Sequence, residues 1–165
     1  MPLYNQEQIN TLAAKIKGVR FGMFTTCDDA HVLSSRPLAV QQIDNEGNLW
    51  FFTADDADFT IALQQHPGVN ISFCNPAESL YLSVFGQASL LKDRAKAREL
   101  WRPMTRSWFP GGLDDPHLAL IRVRIQTAEY WDVGASKMKQ LFELARAAIG
   151  GRTPQQTGPH TTICL

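Results

Sequence analysis

Val32-Leu33-Ser34-Ser35-Arg36-Pro37-Leu38-Ala39-Val40-Gln41-Gln42-Ile43, then Asp44-Asn45-Glu46-Gly47-Asn48, then Leu49-Trp50-Phe51-Phe52-Thr53-Ala54 is the stretch that decides the fold. Two runs rich in β-branched and aromatic residues flank a cluster of turn formers, which is the pattern of successive antiparallel strands. Residues 49–54 are too uniformly apolar to leave one face in water, so that strand is expected to be covered on both sides.

Outward from this pair the same pattern repeats. Residues 19–26 read as a preceding strand that ends at Cys27-Asp28-Asp29-Ala30, residues 69–75 as a fourth strand and residues 80–91 as a long fifth. Gly86 lies inside the fifth and marks a bulge or bend. Residues 117–132 supply a sixth. Three helices flank these strands. Ile9, Leu12, Ala13 and Ile16 recur at helical spacing over 6–17 with Gly18 closing the segment, residues 57–65 end before His66-Pro67-Gly68, and Asp93 caps a helix that runs to about Trp101, where Arg102-Pro103 stops it. Residues 103–116 read as an ordered loop with a short helical turn, and residues 136–149 as a terminal helix ended by Gly150-Gly151. Six strands at hairpin-like spacing with few intervening helices favour an antiparallel barrel or sandwich over an alternating parallel sheet. One domain over 1–150 is expected, with 151–165 a mobile tail that holds at most a short strand at 161–165.

Composition narrows the function. The 165 residues carry 16 Lys+Arg against 16 Asp+Glu, so no overall positive field exists to hold a nucleic-acid backbone. The longest apolar runs fall far short of a membrane span, and the N-terminus has neither a basic start nor an apolar signal core, so a cytoplasmic protein is expected. Cys27, Cys74 and Cys164 are an odd number without CxxC spacing, and the four histidines form no metal-binding pattern. No GxSxG, P-loop or dinucleotide fingerprint is present. The carboxylate pairs Asp28-Asp29, Asp55-Asp56 and Asp114-Asp115 sit beside turn residues, where turn and cap duty is the plain reading.

Ser34-Ser35-Arg36-Pro37 carries more information. An arginine in an otherwise apolar strand, preceded by two hydroxyls, offers a fixed charged fork and short donors of the kind a phosphate monoester requires. An arginine on an exposed strand face is the ordinary alternative. Trp108, in a loop between Ser107 and Phe109-Pro110-Gly111, has no periodic core slot and is a candidate cover for a ligand cleft, whereas Trp101 shares a helix face with Ala97 and reads as a packing residue.

Ser35-Arg36-Pro37-Leu38, Leu49-Trp50-Phe51-Phe52-Thr53 and Tyr81-Leu82-Ser83-Val84-Phe85-Gly86 together resemble the FMN-binding split barrel of the pyridoxamine 5'-phosphate oxidase-like superfamily. The later blocks Glu99-Leu100-Trp101-Arg102-Pro103, Trp108-Phe109-Pro110-Gly111-Gly112, Asp114-Asp115-Pro116 and Ala128-Glu129-Tyr130-Trp131-Asp132 resemble its bacterial general stress branch, and the match runs from about residue 6 to 150. The resemblance implies a mainly β fold, a six-stranded antiparallel split β-barrel with flanking helices. It also implies a homodimer with one flavin in each of two clefts between subunits. On that pattern Arg36 meets the FMN phosphate with Ser35 and Pro37 beside it, Phe51, Phe52 and Thr53 line the ring or ribityl chain, and Trp131 lies against the flavin.

Two positions depart from the pattern. Where the superfamily commonly has a Ser, a variable residue and a Lys that complete the phosphate site, this chain has Ala57, Asp58 and Phe59. Arg20 and Lys15 are the candidate replacements. The C-terminal Arg/His segment of the oxidases has no counterpart after Trp131, so pyridoxamine phosphate oxidation is not expected. The implied functions are therefore an FMN-dependent oxidoreductase, a non-catalytic flavin binder or sensor in stress response, or a degenerate barrel without cofactor.

Overall fold

The computed structural model describes residues 5–132 and 160–164. Helix α1 spans Gln6–Lys17; the Asn5 side chain caps it by accepting from the Glu7 N–H, and Ile9, Leu12 and Ile16 form its buried stripe. The strands follow as β1 (Phe21–Cys27), β2 (Leu33–Ile43), β3 (Asn48–Ala54), β4 (Gly68–Asn75), β5 (Leu80–Leu91), β6 (Leu118–Asp132) and β7 (His160–Cys164), with helices α2 (Asp58–Gln65) after β3 and α3 (Arg94–Leu100) after β5. Val19, expected inside the first strand, instead belongs to the turn after α1, where its N–H donates to the Ile16 carbonyl at 2.8 Å. Two short 3-10 turns, Pro103–Ser107 and Gly112–Asp114, build the loop expected over 103–116. The helix expected over 136–149 lies outside the described residues.

All neighbouring strands are antiparallel, in the order β3-β2-β1-β4-β5-β6, and β3 pairs again with β6, which closes a six-stranded barrel. β6 is the long strand of 15 residues. Its first half lies on β3, from Leu118 opposite Ala54 to Arg124 opposite Asn48, and its second half lies on β7, from Thr127 opposite Cys164 to Trp131 opposite His160. The stretch expected as a mobile tail thus contributes an edge strand, one position earlier than 161–165.

β3 is covered on both faces, as its composition requires. Leu49 and Phe51 point into the barrel core with Phe24, Ile71, Val84 and Ile121, while Trp50 and Phe52 point outward into a second cluster with Ala97, Leu100, Leu118 and Leu120. The expected irregularity at Gly86 is a bulge. Phe85 pairs with Thr127 but Gly86 with Ile125, and a Cβ on Gly86 would collide with the Arg124 carbonyl oxygen and lie 2.8 Å from Val123 Cγ1. A second bulge lies in β2, where Val40 pairs with Phe51 but Gln42 with Trp50. No helix among the described residues is long and apolar enough to cross a membrane.

Candidate functional site

Strand alternation sorts the residues of β2. Arg36 pairs with Phe24 and faces inward; Ser35 and Pro37 pair with Thr25 and Met23 and face outward. At the barrel's end the Arg36 guanidinium is held from several sides. Nη1 donates to Thr26 Oγ1 at 2.8 Å and to the Phe24 carbonyl at 3.4 Å, Nη2 donates to Ser34 Oγ at 2.7 Å, and the group lies 4.4 Å from the centre of the Phe59 ring. Partial burial lowers its pKa from the usual arginine value. The hydroxyl beside Arg36 is thus that of Ser34, whereas Ser35 shares a hydrogen bond of 2.7 Å with Thr25 on the outer face. Phe59, where the superfamily pattern has a lysine, is the floor on which Arg36 rests, and it packs against Phe24 as well. Ala57 stands at the N-cap of α2 and gives that helix no side-chain cap.

A cleft of about 450 Å³ runs along the outer side of β2 from Pro37 to Gln41, between the end of β3 and the loop after α3. Phe52 and Thr53 form its floor, and Trp108, 71% exposed, forms a free-standing wall with Phe109 behind it. Phe52 is fixed edge-on against Trp101 at 5.7 Å and tilted against Phe109 at 6.3 Å, which makes the floor rigid. Of the residues singled out by sequence, Pro37, Phe52, Thr53 and Trp108 meet in this cleft. Phe51 does not reach it: it has no exposed surface and packs edge-on to Phe24 inside the barrel. Trp131 lies on the outer face opposite Tyr81, away from the cleft of its own chain.

Two arginines line the cleft, one named from the sequence and one that sequence reasoning missed. Arg20, one of the two candidate replacements, lines the cleft and donates from Nη2 to Met104 Sδ; Arg102 lines it from the loop side and donates to the Glu99 and Trp101 carbonyls. Lys15 is elsewhere, paired with Asp132 at 2.9 Å and lying 4.3 Å from the Tyr130 ring centre. The one available signal for Arg102 was its place next to Pro103, which ends α3 and turns the chain back over β3. Among the described residues no Asp, Glu, His or Cys lines the cleft. The carboxylate pairs do turn duty: Asp28 accepts from the Val32 N–H, Asp115 from the His117 N–H, and Asp55 meets Lys92 and His117.

The cleft opens on an outer sheet face with exposed aromatic and aliphatic groups. Phe21 (48%), Met23 (45%), Tyr81 (44%) and Phe85 (40%) all stand there, and register places Trp131 in the same row as Tyr81. Four large apolar side chains this open on one face exceed the scattered exposure of ordinary surfaces.

Residues 7–155 match the family described as pyridoxamine 5'-phosphate oxidase like. The protein bli-3 of Neurospora crassa is 30% identical over 156 residues, covering 88% of this chain and 75% of that protein. Among solved structures, the general stress FMN/FAD binding protein of Xanthomonas citri superposes with a TM-score of 0.65 at 30% identity, over 78% of this chain and 90% of that one. General stress protein 26 of Bacillus anthracis shares the fold with a TM-score of 0.64 at 22% identity, over 76% of this chain and 92% of that one. A closed six-stranded barrel, a cleft along its second strand and a family match across nearly the whole chain agree: this chain belongs to the pyridoxamine 5'-phosphate oxidase-like family.

Proposed function

We propose that this protein is a flavin-binding protein of the general stress type that works as a homodimer, with FMN its ligand. The observation that carries the reading is the rigid aromatic cleft along β2, which opens onto the exposed apolar face. Its volume of about 450 Å³ lies in the range of small-molecule sites. Family membership and the likeness to the FMN/FAD binding protein of Xanthomonas citri support a flavin ligand.

The residues present fit the ring better than the phosphate. Phe52, Pro37 and Trp108 offer apolar and aromatic contact to a flat ring system, and the backbone of β2 offers edge hydrogen bonds. At the tail end Arg36 is the side-chain cation, and the uncapped first turn of α2 adds backbone N–H groups beside it. Ala57 and Phe59 add no donor. A second subunit on the apolar face would cover the cleft opening and bring its Trp131 toward the neighbouring flavin.

When bound, a flavin supplies hydride exchange at ring nitrogen N5. The chain's own contribution is to orient the ring, exclude water with Phe52 and Trp108, and hold the anionic tail. Among the described residues the cleft is lined by apolar, hydroxyl, amide and guanidinium groups. A flavin binder or sensor without turnover is the second reading beside an FMN-dependent oxidoreductase.

The test is the visible spectrum of the purified protein with and without added FMN, followed by anaerobic NADH and NADPH. Bound flavin that bleaches with either nucleotide supports the oxidoreductase. Bound flavin that does not bleach supports the binder. A protein that takes up no FMN refutes both and leaves a barrel without cofactor.

A further inference from the structure

The cleft along β2 continues beyond Gln41. A second compartment of about 470 Å³ lies between the last turn of α1 and the end of β2, and the two compartments share Arg20, Val40 and Gln41 as common walls. The junction falls on the β2 bulge, where one extra residue sits between Val40 and Gln42. Bulges re-aim side chains, and this one sets Gln41 between the two spaces.

The lining of the second compartment is chemically specific. Its floor is apolar, from Ile16, Val19 and Ile43, and its rim carries Lys17 and Arg20. Among the described residues neither cation meets a carboxylate: the Arg20 guanidinium donates to the Met104 sulfur, and no side-chain hydrogen bond engages the Lys17 ammonium. The two amides complement them. Gln41 donates to the Ala39 carbonyl at 3.1 Å and keeps its oxygen free, while the Gln42 oxygen accepts from Lys96 at 2.7 Å and its amino group stays free. The C-terminal dipole of α1 accounts for Lys17 by itself, but not for Arg20, which lies three residues further on at the junction. Arg36 contrasts with both, since its nitrogens already meet two hydroxyls and a carbonyl.

We infer that this second compartment binds the anionic group of an organic co-substrate, a carboxylate or phosphate, whose body reaches past Gln41 to the flavin ring. The inference rests on the flavin reading above. In that reading the ring occupies the first compartment, along Pro37 to Gln41, and the second compartment opens beyond it across the shared walls Arg20, Val40 and Gln41. Two neighbouring cations without counter-ion over an apolar floor form an anion site.

The full-length protein is titrated with FMN by fluorescence, as wild type, Lys17→Gln and Arg20→Gln. Each FMN-loaded protein is then titrated with pyrophosphate and with malonate by calorimetry. The expected result is saturable binding of at least one anion to wild type, weakened about tenfold in each variant, with the FMN affinity of Lys17→Gln within about twofold of wild type. Response to pyrophosphate alone identifies a phosphate ester, and response to malonate alone a carboxylate. FMN binding without any saturable anion binding, or anion binding unchanged in both variants, overturns the inference and leaves the flavin reading intact. A matching loss of FMN affinity in Lys17→Gln also overturns it, because the compartment then holds part of the flavin. Failure of wild type to bind FMN removes both readings.

Discussion

Arg36 carries the residue-scale argument, because in the proposed site it is the cation for the flavin tail and it is already braced by Thr26, Ser34 and Phe59. Arg36→Ala should weaken FMN by about 10- to 100-fold and riboflavin hardly at all, since only FMN presents a dianion to the guanidinium. Fluorescence titration of both ligands checks this, and equal losses would make Arg36 a purely structural brace. The two neighbouring departures separate in the structure. Ala57 leaves α2 without a side-chain cap, so Ala57→Ser should stabilise the fold by about 1 kcal/mol in urea denaturation and tighten FMN alone. Phe59 is a packing residue against Phe24 and Arg36, so Phe59→Lys should cost about 2–3 kcal/mol of stability even where it adds a phosphate donor.

At the scale of elements, the β2–β3 turn shows how the strand pair is locked. The Asp44 carboxylate accepts from the Glu46 and Asn48 N–H groups, the Asn48 amide and Trp50 Nε1, with Asn48 and Trp50 themselves buried. Burial pushes its pKa up, but the donors from Trp50, Asn48 and Glu46 outweigh that and hold it below the usual 3.8. A depressed carboxylate stabilises the fold above its unfolded pKa, and that contribution fades as pH falls from about 4 through the folded value. Asp44→Asn should therefore lower stability at neutral pH and flatten the acid limb below about pH 4, read as melting temperature against pH. This turn was legible, as were α1, α2, α3 and the six barrel strands, because hydrophobic period and turn chemistry are local. The face of each strand was less so. Arg36 and Phe51 were grouped with Pro37 and Phe52 by adjacency, but a period of two sends neighbours to opposite sides: the first two face inward and only the second two line the cleft. Arg102 stayed hidden because the loop that brings it to β3 has no periodic signal.

For the whole molecule, the exposed face of Phe21, Met23, Tyr81 and Phe85 predicts a sedimenting species of twice 18.5 kDa at micromolar concentration. Phe85→Lys, a surface change within one chain, should shift the protein to 18.5 kDa and weaken FMN together with dimerisation. A dimer that persists in Phe85→Lys with FMN affinity unchanged would place the subunit contact elsewhere.

β6 changes partner partway along its length, from β3 to β7, and this sets the consequence of cutting the chain. Closure of the barrel uses only the first half of the strand, so a chain ending before His160 keeps the closed barrel but loses Ile163, which is buried in the main core opposite Ala128. It also loses the cover on Thr127 to Trp131, whose N–H and C=O groups then lack their strand partner. Such a truncation should melt clearly below the full chain, because it removes a buried isoleucine along with five strand residues, and thermal unfolding of the two proteins measures the difference. The last strand thus does two things at once, filling the core with one side chain and covering the far half of β6 with its backbone.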